Sequence, residues 1–195
     1  MNLREHESSD GMKVWLSESD TETLLDAAGN TEQRIAFALG ARCGLRSHEI
    51  LEVAPDNVVQ SDAGRMLIVE HGKGDKYRET PIPSDLVRQI EAVDDMRDES
   101  SDTPVISVTT TQSLRNWIQS TRERLAEQTD DDRWNHLSLH DLRRTWATSL
   151  ASKDVDPLIV CDWGGWNDLE TFLEHYKGVY SPEAQRRERD KVSWL

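Results

Sequence analysis

His140 and Arg143, in the stretch LHDLRRTWATSL, are two side chains whose types and spacing suit phosphate chemistry. Three residues apart on a helix, they share one face. A guanidinium grips two oxygens at once, and beside a hydrogen-bond donor it makes a fork suited to a phosphate. Further on, Tyr176 closes a second helical run, DLETFLEHY, and a phenol there can attack phosphorus. The plain alternative is a packing helix in which Leu142, Trp146 and Leu150 turn inward while the charges stay in water. HxxR also arises by chance.

Two earlier stretches add candidates. Arg46, in GLRSHEI, stands just before a short helix that Ser47 is expected to cap. A cation at the positive end of a helix is badly placed for the dipole, so an anion target explains it better. Lys73 lies between Gly72 and Gly74 in GKGDK, at the tip of an expected hairpin. A lysine there is usually a solvated turn residue, but it is also how a strand would carry a proton donor into a site. Lys76, in the same run, is the alternative.

The elements that must position these residues follow from periodicity and capping. SESDTETLLDAA offers Ser17 as a helix cap with acids in the first turn, and TEQRIAFALGARCG reads as a second helix stopped by Gly44. From Asn57 to Pro83 the pattern alternates, and NVVQ, RMLIVEHG and YRETPIP are strand-like runs separated by the turn signals SDAG and GKGD. Helices follow at SDLVRQIEAVDDM and at SLRNWIQSTRERLAEQT, where Leu114, Trp117, Ile118 and Leu125 are spaced for burial. After the HxxR helix come a short helix ended by Gly164 and Gly165, the tyrosine helix, and a charged helix over 182–194 begun by Ser181 and Pro182. The fold class expected is mainly α with a small three-stranded antiparallel sheet. Residues 1–16 lack periodicity and are expected to be a flexible tail or linker remnant, leaving 17–195 as the domain.

Composition bounds the rest. No run is apolar enough to cross a bilayer and the N-terminus has no signal-peptide pattern, so a soluble, cytoplasmic protein is expected. Cys43 and Cys161 form no metal or disulfide pattern and read as buried apolar residues. The net charge of −14 opposes nucleic-acid binding. Only 6 of the 23 basic residues are lysine, however, and the acids fall on apparent surfaces. This resembles the habit of salt-loving microbes, where charge is screened within about 3 Å at 1 M salt. A protein that avoids or mimics nucleic acid is the other reading.

The order of Arg46, the Gly-Lys-Gly hairpin ending in proline, His140 with Arg143, and GGW before Tyr176 resembles the catalytic domain of the tyrosine recombinases, the phage-integrase and Xer-like family. The resemblance covers roughly residues 12 to 195. It implies that Arg46 and Arg143 bind the scissile phosphate, that Lys73 protonates the leaving 5′ oxygen, and that His140 assists. It also implies that Glu49 orients the site and that Tyr176 forms a 3′-phosphotyrosyl link. Trp166 takes a place where most members have histidine; it can donate one hydrogen bond but cannot shuttle a proton. Trp166 and Tyr176 are ten residues apart, one more than the usual family spacing, which would fall on His175. That leaves Tyr180 as an alternative nucleophile, and Leu169, Phe172, Leu173 and Tyr176 also fit a core face. The family implies double-stranded DNA as partner, a tetramer on paired sites, the terminal helix packing on a neighbouring protomer, and no metal or cofactor. Nicking and rejoining in the manner of type IB topoisomerases, or a non-catalytic DNA-binding regulator, are the competing functions.

Overall fold

The computed structural model describes residues 1–5, 11–72, 76–97, 100–176 and 182–194. Its N-terminus corrects the expectation of a flexible tail over residues 1–16. Strands β1 (Asn2–Glu5) and β2 (Met12–Trp15) pair antiparallel, with Leu3 opposite Val14. Val14, Trp15 and Leu16 are buried, so these few apolar side chains gain more by docking than the segment loses in chain entropy.

Helix boundaries follow local capping. α1 (Glu18–Asp26) opens on Ser17, whose hydroxyl accepts the Asp20 amide while the Asp20 carboxylate accepts the Ser17 amide. α2 (Thr31–Cys43) opens on Asn30 and stops at Gly44, where φ is 70°, a left-handed conformation in which a side chain is strained. α3 (Ser47–Ile50) begins one residue earlier than a Ser47 cap would allow. Arg46 holds the capping position, and the Glu49 carboxylate accepts its amide at 2.7 Å.

The expected three-stranded antiparallel sheet has the order β3 (Val58–Ser61), β4 (Gly64–Gly72), β5 (Lys76–Pro81). Ser61 faces Gly64 across the first hairpin and Gly72 faces Lys76 at the second. Lys73 and the Lys76 side chain lie outside the described residues. Alternation along β5 turns Tyr77 outward and Arg78 and Thr80 inward. The Thr80 hydroxyl donates to the Cys43 carbonyl at the end of α2, which fixes the strand to that helix.

α4 (Ser84–Met96) and α5 (Thr111–Thr129) bury Leu86, Ile90 and Val93, and Leu114, Ile118 and Leu125, at helical spacing. The main core unites these with Leu24, Ile35, Phe37 and Leu67, among others. A second, smaller cluster joins Trp146, Val160, Cys161 and Phe172. These come from α6 (Leu139–Ser152), α7 (Pro157–Gly164) and α8 (Leu169–Tyr176). α6 links the two, for Leu142 belongs to the first cluster and Trp146 to the second. α9 (Pro182–Asp190) stops short of the expected 194, and the amides of Lys191 and Val192 turn back to the Glu188 and Arg189 carbonyls. Val, Ser and Trp there are weaker helix formers than the charged run before them. Ser181 lies outside the described residues. No helix among the described residues is long and apolar enough to cross a membrane.

The N-terminal hairpin bears on the site because it is bonded to α6. Asp141, 1% exposed, accepts from the Val14 amide at 3.0 Å, from the Ser138 amide at 2.9 Å, and from Arg144. The Thr145 hydroxyl accepts the Leu16 amide at 3.0 Å. Asp141→Ala would strand these donors in the interior, and we expect it to cost about 3–5 kcal/mol. Urea unfolding should show this as a lower midpoint with an unchanged slope.

Candidate active site

The site is built around a carboxylate held by two arginines. Glu49 is 1% exposed, and each of its oxygens is shared. Oε1 accepts Arg46 Nη1 and Arg78 Nη1, both at 2.8 Å. Oε2 accepts the Arg46 amide and Arg78 Nη2, both at 2.7 Å. Burial alone would raise the Glu49 pKa, but hydrogen bonds and charge from Arg78, with the amide and charge of Arg46, hold it down to about 2. Glu49 is therefore an anion at neutral pH, and it orients Arg46.

Arg143 shows that the charges of the α6 helix do not stay in water. It is 4% exposed, and its guanidinium lies 4.0 Å from the centre of the Trp166 ring. Its Nη1 donates to the Gly44 carbonyl at the end of α2, and its Nη2 donates to the Gly164 carbonyl at 2.6 Å. Burial and the nearby charges of Arg46 and Arg78 push its pKa down to about 9, with Glu49 pulling the other way. It is still a cation at neutral pH, and the depression reflects a buried positive charge that its neighbours only partly compensate.

The C-terminus of α7 collects three guanidinium groups. The amides of Gly165 and Trp166 turn back onto Asp162 and Cys161, satisfying those carbonyls. The next three carbonyls each accept from a different arginine: Trp163 from Arg78 Nε at 3.0 Å, Gly164 from Arg143 Nη2, and Gly165 from Arg46 Nη2 at 3.3 Å. The negative end of the helix dipole favours this. Gly165 has φ 65°, and a Cβ there would come within 2.9 Å of Arg78 Cδ, so the second glycine permits both the turn and the close approach. Trp166 follows, stacked on Trp146 with centroids 6.2 Å apart and edge-on to Phe172 at 4.9 Å. Its ring is a platform for Arg143.

Arg46, His140 and Arg143, with Ser47, His48, Leu45 and Leu139, line one cavity of about 220 Å³. His140 is exposed, on the first turn of α6 and one helical turn before Arg143. Of the residues expected from sequence, Arg46, Glu49, His140, Arg143 and Trp166 come together. Tyr176 ends α8, but its side chain, like Lys73 and Tyr180, lies outside the described residues. Of the residues in the alternative core face of α8, Phe172 is fully buried, while Leu169 and Leu173 are 37% and 39% exposed. Arg78 was given no role by the sequence reading. Its only signal is parity, because alternation with outward Tyr77 turns it inward. Among the described residues no group of His, Cys, Asp and Glu is arranged to hold a metal ion.

The profile of the Phage integrase family matches residues 14–181, and the chain belongs to that family. Its fold is shared by solved structures. The XerA recombinase superposes with a TM-score of 0.72 at 21% identity, over 91% of this chain and 64% of that one. The XerH site-specific recombinase, bound to a palindromic difH substrate after cleavage, gives 0.67 at 18%, over 92% and 52%. The catalytic domain of bacteriophage HP1 integrase gives 0.60 at 17%, over 93% and 96%. The chain thus spans about two thirds or less of the two Xer proteins and nearly all of the isolated catalytic domain. No curated protein sequence matches it.

The sign of the Glu49 effect on stability is fixed by its lowered pKa. The stabilisation is complete above the ordinary value near 4.5 and is lost as pH falls from there toward 2. That interval corresponds to about 3 kcal/mol. Denaturant titrations at stepped pH should show a steeper acid loss for the unsubstituted chain than for Glu49→Gln, and equal slopes would remove Glu49 from this role.

Proposed function

We propose that the chain is the catalytic domain of a site-specific DNA recombinase that cleaves and rejoins strands through a 3′-phosphotyrosyl intermediate. The observation that carries this is the convergence of two guanidinium groups and an imidazole on one cavity, with Arg143 buried and bonded, among the described residues, to backbone carbonyls. Such a pair stabilises the charge that develops on the non-bridging oxygens of a pentacoordinate phosphorus. Tyr176 forms the bond to phosphorus as the bond to the 5′ oxygen breaks. The phenol proton passes to His140 and Lys73 supplies a proton to the 5′ oxygen. Attack by the 5′ hydroxyl of a partner strand reverses these transfers. No net hydrolysis occurs, so the phosphodiester energy is kept.

Double-stranded DNA is the partner in this reading, supported by the XerH structure on its difH substrate and the Tn1549 integrase structure with transposon end DNA. A tetramer on paired sites would carry out exchange. The acidic, lysine-poor composition supports work at high salt, where few phosphate contacts survive and neighbouring protomers or a further domain would supply the rest.

The test is covalent adduct formation on a nicked suicide substrate in molar salt, with DNA binding measured in parallel. The unsubstituted chain and Tyr180→Phe should form the adduct, and Tyr176→Phe should not. Loss that follows Tyr180 instead would move the nucleophile by four residues. An unsubstituted chain that binds the DNA without forming adduct would make this a DNA-binding regulator. Arg143→Lys keeps the charge but loses the two-pronged grip, and the adduct rate should fall about 10²–10³-fold.

A further inference from the structure

We propose that Arg78 is a positioning residue for strand transfer, one that prevents Glu49 from neutralising Arg46 and so keeps the Arg46 guanidinium available to the phosphate. This rests on the reading of the chain as a strand-transferase.

Arg78 is 7% exposed and does not line the cavity shared by Arg46, His140 and Arg143. It acts only through others. Its fork takes one lone pair from each oxygen of Glu49, at 2.8 and 2.7 Å, and its Nε is fixed on the Trp163 carbonyl at 3.0 Å. The remaining capacity of Glu49 is divided between the Arg46 amide and one Arg46 nitrogen, Nη1. Arg46 therefore meets the carboxylate with one prong and the Gly165 carbonyl with the other, and its further N–H groups are left for a ligand.

An arginine and a carboxylate left alone prefer a two-pronged pair. Without Arg78, each oxygen of Glu49 would regain a lone pair for the Arg46 guanidinium, whose side chain is only 19% exposed and whose one carboxylate partner among the described residues is Glu49. The most favourable local pairing would then also be the inactive one. A second arginine behind the carboxylate removes that option. The further charges near Glu49 do not replace Arg78: Arg143 is committed to two backbone carbonyls, and Glu52 and Glu70, which share a small cavity with Glu49, are anions.

A residue that merely stabilised the fold would lower the amount of folded protein, whereas this role predicts rescue. Adduct formation is measured at saturating DNA, per folded molecule by unfolding titration, for the unsubstituted chain, Arg78→Met, Glu49→Gln and the double variant. Arg78→Met should slow the reaction about 10²-fold, the scale of misplacing a reacting group. Adding Glu49→Gln to Arg78→Met should restore about tenfold, within the coupling seen for contacting residues, because a neutral amide cannot compete for Arg46. Should Arg78→Met not fold, Arg78→Lys against Arg78→Lys with Glu49→Gln gives the same comparison, with a smaller loss and the same sign of rescue. Equal rates for the Arg78 variant and the unsubstituted chain overturn the inference, and so does a double variant no faster than the Arg78 single variant. No adduct from the unsubstituted chain on DNA it binds overturns the strand-transfer reading itself, and the inference with it.

Discussion

Three successive carbonyls at the end of α7 receive three arginines from three parts of the chain: β5, α6 and the residue before α3. Helix C-termini always leave carbonyls without internal partners. Here the turn through Gly165 and Trp166 satisfies two of them and leaves the next three exposed to the interior, at the negative end of a dipole. Cations brought there need not be paired with carboxylates. That matters for a phosphate site, because every carboxylate used to hold an arginine competes with the ligand, and a backbone carbonyl carries only a partial charge. Among the described residues the site uses a single anion, Glu49, and the backbone does the remaining holding.

The same logic explains the aromatic residues. Arg143 has carbonyls in its plane and the Trp166 ring against its face. The ring excludes water and attracts the cation through its quadrupole without neutralising it. Trp146, one turn further along α6, backs the Trp166 ring, and Phe172 closes its edge. The smaller hydrophobic cluster is thus the support of the cation rather than a separate module, with α7 set against β5 and α6, and α8 against α6 and α7.

Much of this was legible in the sequence because the informative residues have fixed order and distinctive types. Arg46, His140 and Arg143 were readable, and so were the capping signals at Ser17 and Gly44. Arg78 was not. Its inward direction follows from strand parity, but nothing local says that a buried strand position will hold a charge, and its partners lie far away in sequence. The carbonyl acceptors have no side-chain signature at all. The N-terminal hairpin escaped for another reason. Leu3, Val14 and Trp15 are separated by a polar run, so no period emerges, and the docking depends on Asp141 and Thr145, more than a hundred residues away. The terminal helix was read too long because charge pattern carried the expectation past Asp190. The same helix bonds back onto its own chain, with Arg187 donating to the Ser152 carbonyl and to Asp154.

The way α8 is attached sets which part of the site is cheap to move. Over residues 169–173 only Phe172 is fully enclosed, while Leu169 and Leu173 remain partly in solvent. The arginines, by contrast, are each fixed by several bonds to elements of both hydrophobic clusters. Lifting residues 169–173 away would expose Phe172, at about 3–5 kcal/mol on the scale of removing a buried phenylalanine. Such an opening lies well below global unfolding and recurs many times before the whole domain comes apart. The three arginines are the fixed part of this arrangement, and residues 169–173 are its least anchored part.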